Sequence, residues 1–127
     1  MSGAGRVLVV DDDPVIRQLI AVNLELEGFE VIEAGDGEEG IAQALAHRPD
    51  VVALDVMMPR MDGWVTALRL KNDARTSGIR IVIVSARTQR SDLDRGKQVG
   101  ADAYVCKPFD PAELVEVIGR LVRERAS

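Results

Sequence analysis

The fold follows from the sequence VVALD at residues 51–55 and from VMMPRMDG at residues 56–63. A short apolar run bounded by turn-forming residues is typical of a strand buried on both faces, in the middle of a parallel sheet. This strand ends on Asp55. Because open α/β sheets bind ligands in the crevice beyond the carboxyl ends of their strands, Asp55 is a candidate for chemistry. A lone aspartate there more often caps or solvates a loop, so the candidate depends on residues from other strands.

The composition is typical of one domain with its own core, since the chain has 127 residues of which 46% are apolar. We expect a single domain over the whole chain, with an ordered core from about residue 5 to about residue 124. A net charge of −5 argues against nucleic acid or an anionic membrane as a direct partner. Without a membrane-length apolar run or a signal-peptide pattern, the expected compartment is the cytoplasm. The single cysteine, Cys106, excludes an intrachain disulfide.

Five apolar runs alternate along the chain with five amphipathic stretches. This order predicts an α/β fold, with a parallel sheet, right-handed crossovers and helices on both faces. The predicted strands are residues 6–10, 29–34, 51–55, 80–84 and 103–106, the second of them an edge strand. The predicted helix starts are Asp13 with Pro14, Asp36, Asp62 with Gly63, Ser91, and Asp110 with Pro111. The apolar residues of the third helix are Trp64, Val65, Leu68 and Leu70, and we interpret Trp64, Met58 and Met61 as packing or loop-covering residues.

Polar residues follow four of the predicted strands. Because the carboxyl ends of parallel strands share one edge of a sheet, we expect the side chains there to lie together. Carboxylates, a hydroxyl and an ammonium suit Mg²⁺ and a phosphoryl group, because Mg²⁺ prefers hard oxygen ligands and phosphoryl transfer needs positioning and charge neutralisation. Each residue alone has an ordinary interpretation as a strand-end or surface residue, so the prediction depends on their coincidence at one edge. The residues of this predicted site are Asp11, Asp12, Asp55, Ser85 and Lys107.

Four motifs, in order and at the expected spacing, resemble the signature of bacterial response-regulator receiver domains. They are VVDDD at 9–13, LDVMMPRMDG at 54–63, VSAR at 84–87 and YVCKPF at 104–109. The resemblance covers nearly the whole chain. It implies a doubly wound (βα)5 flavodoxin-like domain with strand order 2-1-3-4-5, acting in a two-component phosphorelay. It also implies that the domain is not an enzyme beyond assisting its own phosphorylation and dephosphorylation.

The resemblance implies a role for each aspartate of the predicted site, called the acidic cluster below, and for Met57. Asp55 takes a phosphoryl group from a phosphohistidine of a sensor histidine kinase or phosphotransfer protein, and it is also a metal ligand. Asp12 binds Mg²⁺ directly, and Asp11 reaches the ion largely through water. The backbone carbonyl of Met57 completes the protein ligands. The implied cofactor is therefore Mg²⁺.

The same resemblance implies how the phosphoryl group is held and sensed. Ser85 and Lys107 bind its oxygens, Ser85 keeping the hydroxyl of the threonine that receivers commonly carry there. The bond between Lys107 and Pro108 is cis, a conformation found chiefly before proline. Tyr104 is the aromatic switch, which turns inward when Ser85 is drawn to the phosphate. The switch changes the face formed by the fourth helix, fifth strand and fifth helix. This face, called the output face below, controls a partner or effector domain.

Two positions bear on the lifetime of the phosphoryl group. Met57 and Arg87 lie two residues beyond Asp55 and Ser85, and the resemblance places them beside the path of the hydrolytic water. We hypothesise that these long side chains shield the acyl phosphate and slow its loss.

Other positions bear on output. The stretch at residues 107–109 and Glu113 resemble the winged-helix transcription-factor branch, whose receivers form a phosphorylation-dependent dimer through salt bridges on the output face. Ala103 and Val117 stand where that branch usually has an acid and an arginine. This departure argues against the same dimer, and the apolar Val117 is suited to a different partner.

Three alternatives stay open at this point. A small phosphohydrolase of the haloacid dehalogenase type would use Asp11 as nucleophile and Asp13 as acid/base, but it leaves Asp55 without a role. A pseudo-receiver would be a binding module that never takes phosphate, which the complete acid set argues against. Flavodoxin-like cofactor binding is the weakest alternative, because the acidic first loop would repel a phosphate.

Overall fold

The computed structural model describes residues 5–57, 62–86 and 89–126, with the side chains of the last two helical residues excluded. Strands and helices alternate as the sequence predicts, and the α/β class is confirmed. The elements are β1 (Arg6–Val10), α1 (Pro14–Leu26), β2 (Glu30–Ala34), α2 (Gly37–His47), β3 (Val51–Leu54), α3 (Gly63–Asn72), β4 (Arg80–Ser85), α4 (Arg90–Gln98), β5 (Ala103–Cys106) and α5 (Pro111–Ala126). Met58 and Met61, interpreted above as packing or loop-covering residues, and Arg87, with its predicted shielding role, lie outside the described residues.

The five strands form one parallel sheet in the order β2-β1-β3-β4-β5. This order and the flavodoxin-like fold are as expected. Val10 at the end of β1 is paired with Ala34 on one side and with Leu54 on the other. Leu54 is in turn paired with Ile83 of β4. The strands therefore end at similar heights, and the residues that follow them meet at one edge.

The sheet is buried on both faces because β3 is apolar at every position and β1 is apolar from residue 7 to residue 10. Along β1, Leu8 and Val10 face one cluster, which α2 and α3 cover with residues such as Trp64. Val7 and Val9 face the opposite cluster, which α1 and α5 cover. Burying a large aliphatic side chain contributes about 1.5–3 kcal/mol, so this double core holds the sheet edge in place.

Aspartates begin four of the five helices by accepting hydrogen bonds from free backbone N–H groups of the first turn. The Asp13 carboxylate accepts from the backbone of Val15 at 2.9 Å, and Asp62 accepts from Val65 at 3.0 Å. Asp36 and Asp110 act in the same way. These local interactions confirm the predicted starts.

The predicted start of α4 at Ser91 is wrong. The helix begins at Arg90, after Gln89, and no side chain caps it. The carbonyl of Gln89 accepts the backbone N–H groups of Asp92 and Leu93 at 3.0 and 3.2 Å. Ser91 therefore lies inside the first turn, where its resemblance to a capping residue has no structural consequence. Within the described part of the chain, no helix is long and apolar enough to span a membrane.

Candidate functional site

Asp11 leads the acidic cluster and is only 2% exposed. Its backbone N–H continues the sheet by donating to the carbonyl of Ala34 at 3.1 Å. The Asp11 Oδ1 atom accepts from the Asp13 backbone at 2.9 Å, and the Asp11 carbonyl accepts from Arg17 Nη1 at 2.9 Å. The loop after β1 is thus fixed at both its backbone and its carboxylate.

Asp55 follows β3 and is 6% exposed. Its backbone N–H donates to the carbonyl of Val10 at 3.0 Å, and its Oδ1 atom accepts from the Met57 backbone at 2.9 Å. The start of α3 presses on the same loop, because a Cβ atom on Gly63 would lie 2.4 Å from the Asp55 carbonyl oxygen. Only glycine fits this approach without movement, so the helix start helps to position Asp55.

Lys107 brings a positive charge to the two buried carboxylates. Its Nζ atom lies 3.1 Å from Asp11 Oδ2 and 3.3 Å from Asp55 Oδ2. The Lys107 backbone N–H donates to the carbonyl of Ser85 at 2.8 Å, and the bond from Lys107 to Pro108 is cis. The end of β5 is therefore tied to the end of β4, and the lysine side chain bridges to the ends of β1 and β3.

The charges of this cluster shift its ionisation equilibria. Burial, together with the negative charge of Asp55, raises the pKa of the Asp11 carboxyl above its ordinary value, although the Asp13 backbone and Lys107 oppose the shift. Burial disfavours the charge of Lys107, but the negative charges of Asp55 and Asp11 outweigh burial and raise the pKa of its ammonium. The lysine is therefore positively charged at neutral pH, whereas ionised Asp11 is held at a cost.

Three carboxylates at this edge fit a divalent cation. One oxygen each from Asp11, Asp12 and Asp55 lies within 4.8 Å of the others. The two buried acids are joined by the exposed Asp12, so the cluster opens to solvent on one side. Mg²⁺ takes hard oxygen ligands at about 2.0–2.1 Å and retains several waters, which suits a small, partly open set of carboxylates.

Ser85 and Tyr104, the predicted switch pair, lie on neighbouring strands. Ser85 is the last residue of β4 and is completely buried. Tyr104 is half-buried and packs on the side of the sheet that α3 and α4 cover, where Trp64 also lies. A Cβ atom on Gly96 of α4 would lie 3.2 Å from the Tyr104 ring. The ring therefore rests directly on the backbone of α4.

Asp13 lies apart from this chemistry. Its carboxylate accepts the backbone N–H groups of Val15 and Ile16 at 2.9 and 3.4 Å, which is the structural task of an N-cap. The phosphohydrolase alternative needs this carboxyl as a proton donor. A capping carboxylate engaged by two donors is poorly suited to that task.

Sequence reasoning missed two residues that position the site. Arg17 donates to the Asp11 carbonyl and also to Glu33 at 3.1 Å, which fixes the first loop against β2. A single arginine on an amphipathic helix gives no signal of such a contact. Gly63 did have a signal, because a glycine directly after an N-cap aspartate is a poor helix former unless another segment approaches it closely.

A family model described as the response regulator receiver domain matches residues 7–119. The chain is 41% identical over 118 residues to the DNA-binding dual master transcriptional regulator RpaA of Synechocystis. The aligned region covers 93% of this chain and 49% of RpaA. It is 37% identical over 117 residues to Protein PilH of Pseudomonas aeruginosa, and that aligned region covers 92% of this chain and 97% of PilH. The chain therefore spans about half the length of RpaA and nearly all of PilH.

Solved structures agree with these relatives. The chemotaxis protein CheY4 of Vibrio cholerae superposes with a TM-score of 0.88 and 34% identity, covering 94% of this chain and 99% of that one. A CheY-like receiver domain protein from Methanospirillum hungatei gives a TM-score of 0.89 at 29% identity, covering 95% of both chains. Since the family model matches most of the chain and the relatives align with nearly all of it, the protein belongs to the response regulator receiver domains of two-component signalling systems.

Proposed function

We propose that Asp55 is the phospho-acceptor of this receiver domain. The observation that carries the proposal is the position of the Lys107 ammonium, 3.3 Å from Asp55 Oδ2 and 3.1 Å from Asp11 Oδ2. A charged ammonium beside a nearly buried carboxylate can balance the negative charge that a phosphoryl group brings. Phosphoryl transfer needs mainly positioning and charge neutralisation, and this arrangement supplies both.

In the proposed reaction, a carboxylate oxygen of Asp55 attacks the phosphorus of a phosphohistidine on a sensor histidine kinase or phosphotransfer protein. A bond from phosphorus to the Asp55 oxygen forms while the bond from phosphorus to the imidazole nitrogen breaks, and that nitrogen keeps the electron pair. The Met57 backbone N–H holds Oδ1 at 2.9 Å and so orients the carboxylate. Lys107 and the Ser85 hydroxyl are proposed to bind the oxygens of the transferred group.

Mg²⁺ is the proposed cofactor. Asp12, Asp55 and the Met57 carbonyl would hold it, with Asp11 acting largely through water. When bound, the ion supplies neutralisation of the crowded negative charge and orientation of the phosphoryl oxygens. The proposal is supported by the three carboxylates within 4.8 Å of one another, which carry more negative charge than Lys107 alone can balance.

Ser85 and Tyr104 are proposed to carry the signal to the face formed by α4, β5 and α5. The contact between the Tyr104 ring and Gly96 supports this proposal, because any change in the ring must displace or release α4. The same face is proposed to control a downstream partner or effector domain. A phosphorylation-dependent dimer through this face would use the partly buried Ala103 and Val117 in place of salt bridges.

The phospho-donor is proposed to dock beside α1. Four apolar residues of this helix are exposed in a repeat of four, three and four residues, which is the spacing of a helix-packing seam. The seam begins at the helix start, directly after the acidic cluster, so a helical donor lying on it would reach Asp55. The seam residues are Val15, Leu19, Val22 and Leu26.

We also propose that residues 1–127 form one receiver domain that acts in the cytoplasm and catalyses only its own phosphorylation and dephosphorylation. The size of the family match and the membership of a signalling family support this proposal.

The proposed acceptor is tested by incubating the protein with Mg²⁺ and acetyl phosphate and locating the phosphoryl group by tandem mass spectrometry. We expect one phosphoryl group on Asp55, none on the Asp55→Asn variant, and unchanged modification of Asp94→Asn, an exposed carboxylate on α4. Beryllofluoride should shift the NMR signals of α4 and β5 in the unmodified chain. Phosphorylation of Asp11, or equal incorporation into Asp55→Asn, would refute the assignment.

A further inference from the structure

An apolar groove runs between α2 and α3, away from the acidic cluster. Its volume is about 640 Å³. Ile41 and Leu45 line it from α2, and Val65 and Leu68 line it from α3. The pairs are spaced by four and by three residues, so each pair lies on one side of its helix. The two helices thus present a continuous apolar strip.

The core does not use this strip fully. The sequence pattern of α3 predicts one apolar set, but the structure divides it in two. Trp64 and Leu70 are buried against the sheet, whereas Val65 is 40% and Leu68 is 43% exposed. Single exposed aliphatic residues are ordinary on a protein surface, but neighbouring ones in a concave site indicate an interaction surface.

The groove is separate from the surfaces assigned above. α3 starts beside Asp55 and runs away from it, and the groove reaches to residues 72–76, beyond the far end of the helix. None of its lining residues belongs to α1, α4, β5 or α5. A partner in the groove would therefore leave the phosphorylation site and the output face accessible.

The charged side chains that line the groove are two arginines and one aspartate. The chain has a net charge of −5, yet two arginines, Arg69 and Arg75, line the groove. Asp73 neutralises Arg75 through an ion pair of 2.8 Å. Arg69 makes no ion pair or hydrogen bond with any residue that the structure describes, and the exposed Arg48 stands at the same end of the domain. The groove therefore combines four aliphatic side chains with one arginine, Arg69, that no described residue neutralises.

We propose that the groove between α2 and α3 binds an acidic amphipathic helix of a partner protein. Apolar side chains three and four residues apart would cover Val65 and Leu68, and a carboxylate would pair with Arg69. A helix fits because two helices form the groove and none of the described residues that line it lies on a strand. The inference goes beyond the proposed function, since this contact does not require phosphorylation.

The test uses the whole chain with isotope-labelled methyl groups and a synthetic helix-stabilised peptide of about 15 residues. Its leucines follow the spacing i, i+3, i+4, i+7 and its other positions are mainly glutamate, and a matched peptide has lysine in place of glutamate. We expect the acidic peptide to shift the methyl signals of Ile41, Leu45, Val65 and Leu68, and to bind at least about tenfold more tightly than the basic one.

Variants locate the contact. Leu68→Glu should weaken binding of the acidic peptide by about tenfold or more, and Arg69→Glu should reverse the preference between the two peptides. Ala46→Glu, at an exposed position of α2 that does not line the groove, should leave binding unchanged, and all three substitutions are at exposed positions that the fold tolerates. Absence of groove shifts, shifts confined to α1, or equal binding of both peptides would overturn the proposal. Self-association of the unmodified chain that Leu68→Glu abolishes would overturn it as well, by making a second copy the occupant.

Discussion

Gly63 determines how closely the start of α3 can approach the loop that contains Asp55. In Gly63→Ala, the added methyl group would meet the Asp55 carbonyl oxygen and the Val56 Cα atom, each at 2.4 Å. Since both are backbone atoms, the loop must move, and overpacking of this kind costs about 1–3 kcal/mol. We expect urea unfolding to show this loss, together with slower phosphorylation by acetyl phosphate.

Gly78→Ala is the matched control for this prediction, because nothing lies within 4 Å of a Cβ atom at that position. Its unfolding midpoint should stay within the ordinary scatter of surface substitutions, about 0.5 kcal/mol. Equal stability of the two variants would show that the contact between Gly63 and Asp55 does not limit the loop.

Asp11 is expected to trade stability for function. Its pKa is raised in the folded protein, mainly by burial, so its ionised form lowers stability at any pH above that value. The penalty disappears as the pH falls through the folded pKa, and below the unfolded value of about 3.9 both states are protonated. Asp11→Asn should therefore melt at a higher temperature than the unmodified chain at neutral pH in EDTA, while binding Mg²⁺ more weakly.

Thermal unfolding measured from acid to neutral pH checks this prediction, since the advantage of Asp11→Asn should shrink as the pH falls. A variant that is less stable than the unmodified chain at neutral pH would show that the ion pair with Lys107 outweighs the cost of burying the carboxylate.

Met57 is the described half of the predicted shield over the acyl phosphate, and its side chain is 51% exposed. A long apolar side chain at the open side of the site hinders water, whereas an amide can hold water by hydrogen bonds. We therefore expect Met57→Asn to lose its phosphoryl group several-fold faster after the donor is removed. Unchanged decay, followed by mass spectrometry, would contradict the hypothesis.

At the scale of elements, the segment after α3 contains a local ion pair in addition to its backbone hydrogen bonds and the bond from the buried Thr76 hydroxyl to the Leu70 carbonyl. The Asp73 carboxylate accepts from the backbone of Arg75 at 2.9 Å and from its guanidinium at 2.8 Å. These hydrogen bonds lower the pKa of Asp73 to about 2. A lowered folded pKa means that the contribution to stability is present above the unfolded value of about 3.9 and is lost as the pH falls through about 2.

Carboxyl-carbon NMR should give a titration midpoint near this value for Asp73, and Arg75→Gln should return the midpoint toward the ordinary range. A midpoint unaffected by the substitution would mean that Arg75 does not lower the pKa of Asp73. Because both side chains are exposed to solvent, the effect should decrease as salt is added.

Element starts were predictable where a short-range interaction decides them. Asp13 and Asp62 cap their helices through bonds that span two or three residues, which a sequence pattern contains. The prediction that Ser91 caps α4 is wrong because this helix begins with backbone hydrogen bonds to the Gln89 carbonyl, and such bonds leave no pattern in the sequence. The sequence pattern identifies the apolar residues of α3, but periodicity does not show which of them a neighbouring helix covers. In the structure, Leu68 is exposed.

At the scale of the molecule, cation binding should stabilise the whole cooperative fold. If Mg²⁺ binds only the assembled site, a concentration of 100 times its dissociation constant adds about 2.7 kcal/mol to the free energy of unfolding. We expect Mg²⁺ to raise the melting temperature accordingly and Asp12→Asn to abolish most of the increase. Asp94→Asn should keep it, and an equal response of both variants would place the ion elsewhere.

The meeting of the site residues could be predicted from the sequence because parallel strands deliver their ends to one edge. Asp11, Asp55 and Lys107 each follow a buried strand, and the strand pairing leaves them little freedom. The bracing by Arg17 could not be predicted, because it depends on the direction of one side chain. Nor could the groove, which arises from the spacing between two helices.

Lys107 contacts two carboxylates that lie far from it in the sequence: Asp55 is 52 positions earlier and Asp11 is 96 positions earlier. During translation, Asp11 and Asp55 are therefore added to the chain long before Lys107, whose ammonium balances their charge. Any nascent or truncated polypeptide that stops before β5 has Asp55, the proposed acceptor, but lacks the Lys107 ammonium that balances its charge. We therefore expect a growing chain to take no phosphoryl group before residue 107 has been added during translation.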